Sequence, residues 1–315
     1  MVVAYVSACQ PATQPTPEPI HPAVELYLRR LLDTMEANSI HRKTIDWAAF
    51  RKEILEKASG AQSNAATYPA IQRALTRLND EHSLFVTPAG QVYQASGAAP
   101  CPAGPAATPP ADSTLGYVRV PAFGEVSPPA MTAFAETIQN TISKADRPVL
   151  RGWIVDLRGN TGGNMWPMLA GVGPLLGDGV VGYFIDPDGT EFPWSYENGN
   201  ALLNGSPLVA TTFYRRVSRS GLKVAVLTDG ATASSGEALA IAFRERPNTR
   251  SFGSATCGKS TSNANFSFTD GSRLVLTVSV MADRTRKTYG KRVVPDVVDE
   301  NPDSAFRRAV EWLNQ

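Results

Sequence analysis

Cysteine is scarce in this chain. Three stand in 315 residues, Cys9, Cys101 and Cys257, and none falls in the C-x-x-C spacing of the common zinc and thioredoxin motifs, which excludes both. Excess charge of one sign is also missing: 30 Lys plus Arg face 29 Asp plus Glu, a formal net charge of +1. So balanced a chain lacks the broad basic surface that nucleic acid requires, and no nucleic-acid partner is expected. No apolar run approaches the roughly 18 residues of a bilayer span. What is abundant is hydrophobic mass, at 43% of residues. At this length that supports one large or two modest domains whose core needs no disulfide. No motif calls for a metal or a cofactor, and neither is expected.

The chain opens on a short apolar stretch without Lys or Arg, too short for a complete signal peptide. Val6-Ser7-Ala8-Cys9 resembles the lipobox of bacterial lipoproteins, in which the cysteine is lipidated after cleavage. Five prolines between Gln10 and Pro22 make residues 1–22 read as a leader or extended tether. The expectation is an extracytoplasmic protein (periplasmic, secreted or lipid-anchored through Cys9). The alternative is a chance cysteine near a frayed terminus.

Beyond the tether, Val24, Leu28, Leu31, Leu32 and Met35 form one helical stripe. Further helices are predicted near Asp46 to Leu55 and Thr67 to Leu78, making residues 23–94 an N-terminal helical domain. Residues 95–114 are Pro-, Ala- and Gly-rich and read as a linker. Strands and helices then alternate. Gly116 to Val120, Trp153 to Leu157, Val180 to Ile185 and Lys223 to Thr228 read as strands, and Pro129 to Ser143 and Ser235 to Arg244 as helices. Asp270-Gly271 joins Asn265 to Phe268 and Arg273 to Val280 as a hairpin. The alternation predicts an α/β domain over 115–315. The Gly- and Asn-rich stretch 186–206, with Trp194 and Tyr196, reads as a segment flanking a cleft.

Two loops follow apolar strands and break into small residues. The first is Asp156-Leu157-Arg158-Gly159-Asn160-Thr161-Gly162-Gly163. Its glycines let the backbone turn and bring bare N–H groups to a ligand, but it lacks the Gly-Lys-Ser/Thr ending of a phosphate loop. The second, Thr228 to Glu237, leads from a strand into a helix. A serine there either caps the helix or presents its hydroxyl beside unpaired N–H donors, a setting for a nucleophile. Met165, Trp166 and Met168 follow the first loop and would line a substrate pocket or pack a helix.

The combination resembles the C-terminal processing peptidase (tail-specific protease) family of serine peptidases. Its D-L-R-x-N-x-G-G loop stands here as Asp156 to Gly163, its [ST]-A-S-x-x-E loop as Thr232 to Glu237, and its G-K segment as Gly258-Lys259. The resemblance covers roughly residues 23–300 and implies an α/β fold with a crotonase/ClpP-like core. It implies hydrolysis of peptide bonds in peptides or unfolded proteins. It places the nucleophile on Ser234 and a lysine base 25 residues on, at Lys259. It places the oxyanion hole at the N–H groups of Gly163 and Ser235. A Cβ at position 163 would obstruct the substrate carbonyl. The PDZ domain that the family often carries does not fit into Val86 to Ser113.

The base stays open between two residues. Asp80-Glu81-His82-Ser83 resembles a segment of the tricorn-like and retinoid-binding-protein-like branches, in which a histidine serves as base. Met281 to Thr285 also resembles that branch, and Ser260 and Asn263 depart from the lysine branch. The base is therefore His82 or Lys259. For the acid that orients it, the family position falls on Glu245, with Asp296 as the alternative. A disulfide between Cys101 and Cys257 stays open against two free thiols. The competing functions are a non-catalytic binder of apolar ligands on the same fold, and a hydrolase of small esters or amides. The oligomeric state is not legible.

Overall fold

The computed structural model describes residues 18–97, 100–104, 112, 114–212 and 216–315. The Cys9 lipobox lies outside the described residues. Three helices come first: α1 (Pro22–Asn38), α2 (Trp47–Lys57) and α3 (Tyr68–Arg77). The whole α1 stripe named above is buried. The Asp46 carboxylate accepts from the Ala49 N–H and starts α2. Two short strands follow, β1 (Leu84–Val86) and β2 (Val92–Gln94).

Strand and helix then alternate as the patterning predicts through five elements, after which strands run in succession, interrupted by one helix and closed by another. They run β3 (Leu115–Arg119), α4 (Pro128–Ala145), β4 (Gly152–Asp156), α5 (Met165–Leu176) and β5 (Gly179–Ile185). Next come β6 (Glu191–Glu197), β7 (Asn200–Leu203), β8 (Ser206–Val209), β9 (Lys223–Thr228) and α6 (Ser235–Ala242). The chain closes with β10 (Thr249–Gly253), β11 (Thr261–Ser267), β12 (Arg273–Asp283), β13 (Val297–Val298) and α7 (Pro302–Asn314). The fold is α/β. No helix among the described residues is long and apolar enough to cross a membrane.

One sheet has the order β13-β10-β9-β4-β3, and every pairing in it is parallel. Helices cover both faces. Ile138, Leu169 and Ile241 pack with Val155 and Val226 on one side; Ala309 and Leu313 pack with Ile154, Ala225 and Leu227 on the other. Such double burial is why β4 and β9 read as unbroken apolar runs. The C-terminal ends of neighbouring parallel strands are where α/β proteins hold ligands, and β4 and β9 lead into the two small-residue loops.

The second sheet has the order β2-β1-β12-β5-β6-β7-β8, with β11 along the other edge of β12. β12 is the long member. It pairs with β1 through Arg273 to Val275 and with β5 through Val280 to Asp283. Leu274 and Leu276 turn into the apolar cluster formed by α1, α2 and α3, so the helices share a core with this strand. The segment 186–206 forms β6 and β7 rather than an open loop. Asp186, Phe192 and Leu203 of this stretch do line a cleft, as expected, whereas Trp194 and Tyr196 are buried, at 0% and 1% exposure. Two glycines make room for them: a Cβ at Gly182 would meet the Trp194 ring at 2.5 Å, and one at Gly173 the Tyr196 ring at 1.9 Å.

Leu276→Ala should destabilise the protein by about 2–5 kcal/mol, as large-to-small changes at buried leucines do. Urea unfolding followed by circular dichroism measures this; an unchanged midpoint would mean that the helices are not anchored through β12.

Candidate active site

β4 and β9 pair in register from Gly152 opposite Lys223 to Asp156 opposite Leu227, so their loops emerge side by side. The first loop is braced from beneath. Buried Asp156 receives Arg158 through Nε at 2.9 Å and Nη2 at 2.7 Å, and the Tyr117 hydroxyl at 2.8 Å. The Asn160 Oδ1 accepts from the Gly162 N–H at 2.9 Å, and its Nδ2 donates to the Val120 carbonyl at 3.0 Å.

Three sets of contacts stitch the loops together. The Ala233 N–H donates to the Asn160 carbonyl at 2.9 Å. The Ser235 hydroxyl donates to the Gly163 carbonyl at 2.6 Å. The Asp229 carboxylate accepts from the N–H groups of Gly159, Ala231 and Thr232. A Cβ at Gly162 would stand 2.8 Å from the Ser234 Cβ, so the absent side chain is what lets the second loop lie on the first.

Ser234 has φ +51° and ψ −113°, a left-handed backbone that costs a serine about 1–3 kcal/mol and persists only when its surroundings impose it. Buried Glu237 imposes it. Its Oε2 accepts from the Ser234 N–H at 2.9 Å and the Lys259 N–H at 2.7 Å. Its Oε1 accepts from the Gly258 N–H at 2.9 Å and from the Thr256 hydroxyl. Burial pushes the Glu237 carboxyl above the usual range, and these four donors only partly offset it.

At the mouth of this turn two backbone donors stand open. Among the described residues neither the Gly163 nor the Ser235 N–H meets a protein acceptor. Ser235 begins α6, where N–H groups lack intrahelical partners and the helix end is partially positive. Gly163, at φ +114°, is also required to be glycine by the protein itself: a Cβ there would fall 2.1 Å from the Phe123 carbonyl oxygen.

His82 sits in a turn held by Asp80, whose Oδ1 accepts from the N–H groups of His82 at 3.1 Å and Ser83 at 2.6 Å. Its Nδ1 lies 2.7 Å from the Thr261 hydroxyl, and the Asn263 amide donates to its carbonyl at 3.2 Å. Burial, and then the nearby Lys259 charge, lower its pKa to about 4. The imidazole is therefore neutral at neutral pH. Ser234, Ser235, Gly163, Thr261 and Asn263 line one cleft of about 890 Å³.

The two carboxylates expected to orient the base lie elsewhere. Asp296 accepts from the Ser251 N–H at 2.8 Å and hydroxyl at 2.7 Å, and pairs with Arg244 at 2.5 Å. Glu245 is exposed in the turn beyond α6, at φ +56°. Neither is hydrogen-bonded to His82 or Lys259 among the described residues. The carboxylate that does touch this region is Glu237, whose three-residue spacing from Ser234 is the capping-box signature. Met165 and Trp166 line the cleft, whereas Met168 is buried beneath it, against the Asn160 amide.

Cys101 and Cys257 are joined in a disulfide with Cα atoms 5.5 Å apart. The short segment it anchors lies across both loops. A Cβ at Gly230 would meet Pro102 at 2.8 Å, and one at Gly104 would meet the Gly159 Cα at 2.4 Å.

Glu237→Gln should lower stability by about 1–3 kcal/mol, since an amide NH₂ would face N–H donors with no acceptor. It should also reduce hydrolysis of a fluorogenic peptide at least ~10-fold. Thermal melting and steady-state rates of the purified variant check both. Wild-type rates in a destabilised variant would show that the carboxylate does not shape the Ser234 turn.

Peptidase family S41 matches residues 114–299. The nisin-resistance protein of Lactococcus lactis subsp. lactis is 29% identical over 298 residues, 93% of this chain and 88% of that protein. The carboxy-terminal processing protease CtpA of Bacillus subtilis (strain 168) is 27% identical over 195 residues; these are 62% of this chain but only 37% of CtpA. Among solved structures, a lipoprotein from Streptococcus agalactiae superposes with a TM-score of 0.75 at 23% identity, covering 94% of this chain and 97% of its own. The photosystem II D1 C-terminal processing protease superposes with a TM-score of 0.62 at 17% identity, over 89% and 94%.

Proposed function

The chain belongs to peptidase family S41 and is a serine-type peptidase, and from that premise we propose that Ser234 is its nucleophile, His82 its general base, and the Gly163 and Ser235 N–H groups its oxyanion hole. The single observation that carries this reading is the strained Ser234 turn, locked by Glu237 and opposed by two unpaired backbone donors. The Ser234 Oγ attacks a peptide carbonyl while His82 takes its proton. The developing oxyanion is received by the two N–H groups. His82 then returns the proton to the departing amine, and water hydrolyses the acyl-serine by the reverse sequence.

Neutrality of the imidazole supports His82, because a base must be unprotonated before it acts. The Thr261 hydroxyl at Nδ1 leaves Nε2 for the serine. Lys259, whose charge acts on His82, is proposed to keep the imidazole neutral and to add positive potential near the oxyanion. The competing assignment makes Lys259 the base, supported by the fixing of its N–H on Glu237. The substrate is proposed to be an extended peptide or unfolded chain. A setting outside the cytoplasm, with tethering through Cys9, is proposed from the lipobox-like start and from the disulfide, a bond that persists in oxidising compartments.

His82→Ala should cost a fluorogenic peptide two or more orders of magnitude in kcat/KM, and Ser234→Ala should abolish turnover. Lys259→Met should retain measurable activity. The reverse ranking of His82→Ala and Lys259→Met would transfer the role of base to the lysine. A second measurement is the pH profile. Because the folded pKa of His82 is depressed, activity should persist as pH falls through 6.5 and fade only towards about 4. In Lys259→Met the like charge is gone, so the acid limb should move upward.

A further inference from the structure

The cleft extends well past Ser234. On the side of α5 and the second sheet its wall is formed by Met165, Trp166, Phe184, Phe192, Leu203 and Met281. These side chains come from α5, β5, β6, β7 and β12, so the wall is built on regular elements. Phe184 is fixed by stacking on buried Trp194 at 5.4 Å and by an edge contact with Trp166 at 6.4 Å. Charge near this compartment is already satisfied. Arg42, on the loop after α1, pairs with Asp186 at 3.3 Å and with Asp188, which Lys43 also meets at 2.5 Å. Arg273, the other charged residue lining the cleft, has no ion pair among the described residues, but it lies eight positions along β12 from Met281, roughly 26 Å from this compartment at the rise of a strand.

Along the floor runs β11. Among the described strands it pairs with β12 alone, so its other edge is open, and Thr261 to Asn265 line the cleft. An unpaired strand edge is a template for an extended peptide, with specificity supplied by pockets for individual side chains.

We propose that a peptide substrate adds as a strand along the open edge of β11 and places a large apolar side chain, next to the scissile bond, in the compartment of Met165, Trp166, Phe184, Phe192, Leu203 and Met281. This rests on the reading of Ser234 as nucleophile. The compartment then selects where the chain is cut: a large apolar residue fills it, and a charged residue would lose its hydration with no counter-charge to meet it.

The test uses internally quenched peptides identical but for one residue, set in turn to Phe, Leu, Asp or Lys at each position flanking the cut, with products identified by mass spectrometry. At one flanking position Phe or Leu should exceed Asp and Lys by at least ~10-fold in kcat/KM. Leu203→Lys should erase that preference, while a small fluorophosphonate labels Ser234 at the wild-type rate. If Leu203→Lys does not fold, Leu203→Trp fills the same space and should shift preference from Phe towards Ala. A wild-type protein that is labelled at Ser234 yet cuts all four peptides alike would overturn the pocket and leave the nucleophile standing. A wild-type protein neither labelled nor active would overturn both.

Discussion

The active end of this molecule hangs on one buried carboxylate. Glu237 joins the turn that presents Ser234 to the turn that carries Lys259, accepting N–H groups from both and a third from Gly258. Without it the serine would relax out of a backbone region that serines avoid. Burial raises the cost of its charge, and the ring of donors lowers it again. The balance is narrow because a carboxylate kept in such a place must find a donor for each oxygen. The same residue, third in α6, holds the N–H of the N-cap Ser234, so the start of the helix and the geometry of the proposed nucleophile depend on one side chain.

Around that carboxylate the chain draws together parts from distant positions. β12 gives Leu274 and Leu276 to the helices at the N-terminus and pairs onward with β5. His82, in the turn that leads into β1, is thereby held beside β11, whose Thr261 and Asn263 contact it. From the opposite side the Cys101–Cys257 bond lays Pro102 and Gly104 across the two loops. The wall of the cleft is thus supported by a shared hydrophobic core, a strand pairing and a covalent tie.

Much of this was legible in the chain itself. β4 and β9 are continuous apolar runs because both faces are covered, and the loops after them stand out by their small residues. The spacing from Ser234 to Lys259 survives as a contact through Glu237. Other features were hidden for physical reasons. β6 and β7 carry Pro193 and are flanked by Asn198, Gly199, Asn204 and Gly205, which read locally as loop. Only the glycines at 173 and 182, distant in sequence, show that Trp194 and Tyr196 have a buried place to go. Glu245 matched a family position but lies on the exposed turn beyond α6, because interval along the chain does not report direction around a helix end. At Gly163 the close approach of the Phe123 carbonyl belongs to a contact between segments that no local pattern displays.

The long strand β12 has a further meaning for the life of the chain. It is synthesised after every residue proposed to take part in catalysis, yet it pairs with β1, just beyond His82, and with β5, whose Phe184 packs in the same core as the strands that lead to Ser234. A ribosome-bound fragment ending before residue 273 would carry each reactive group and still lack the frame that sets them against one another.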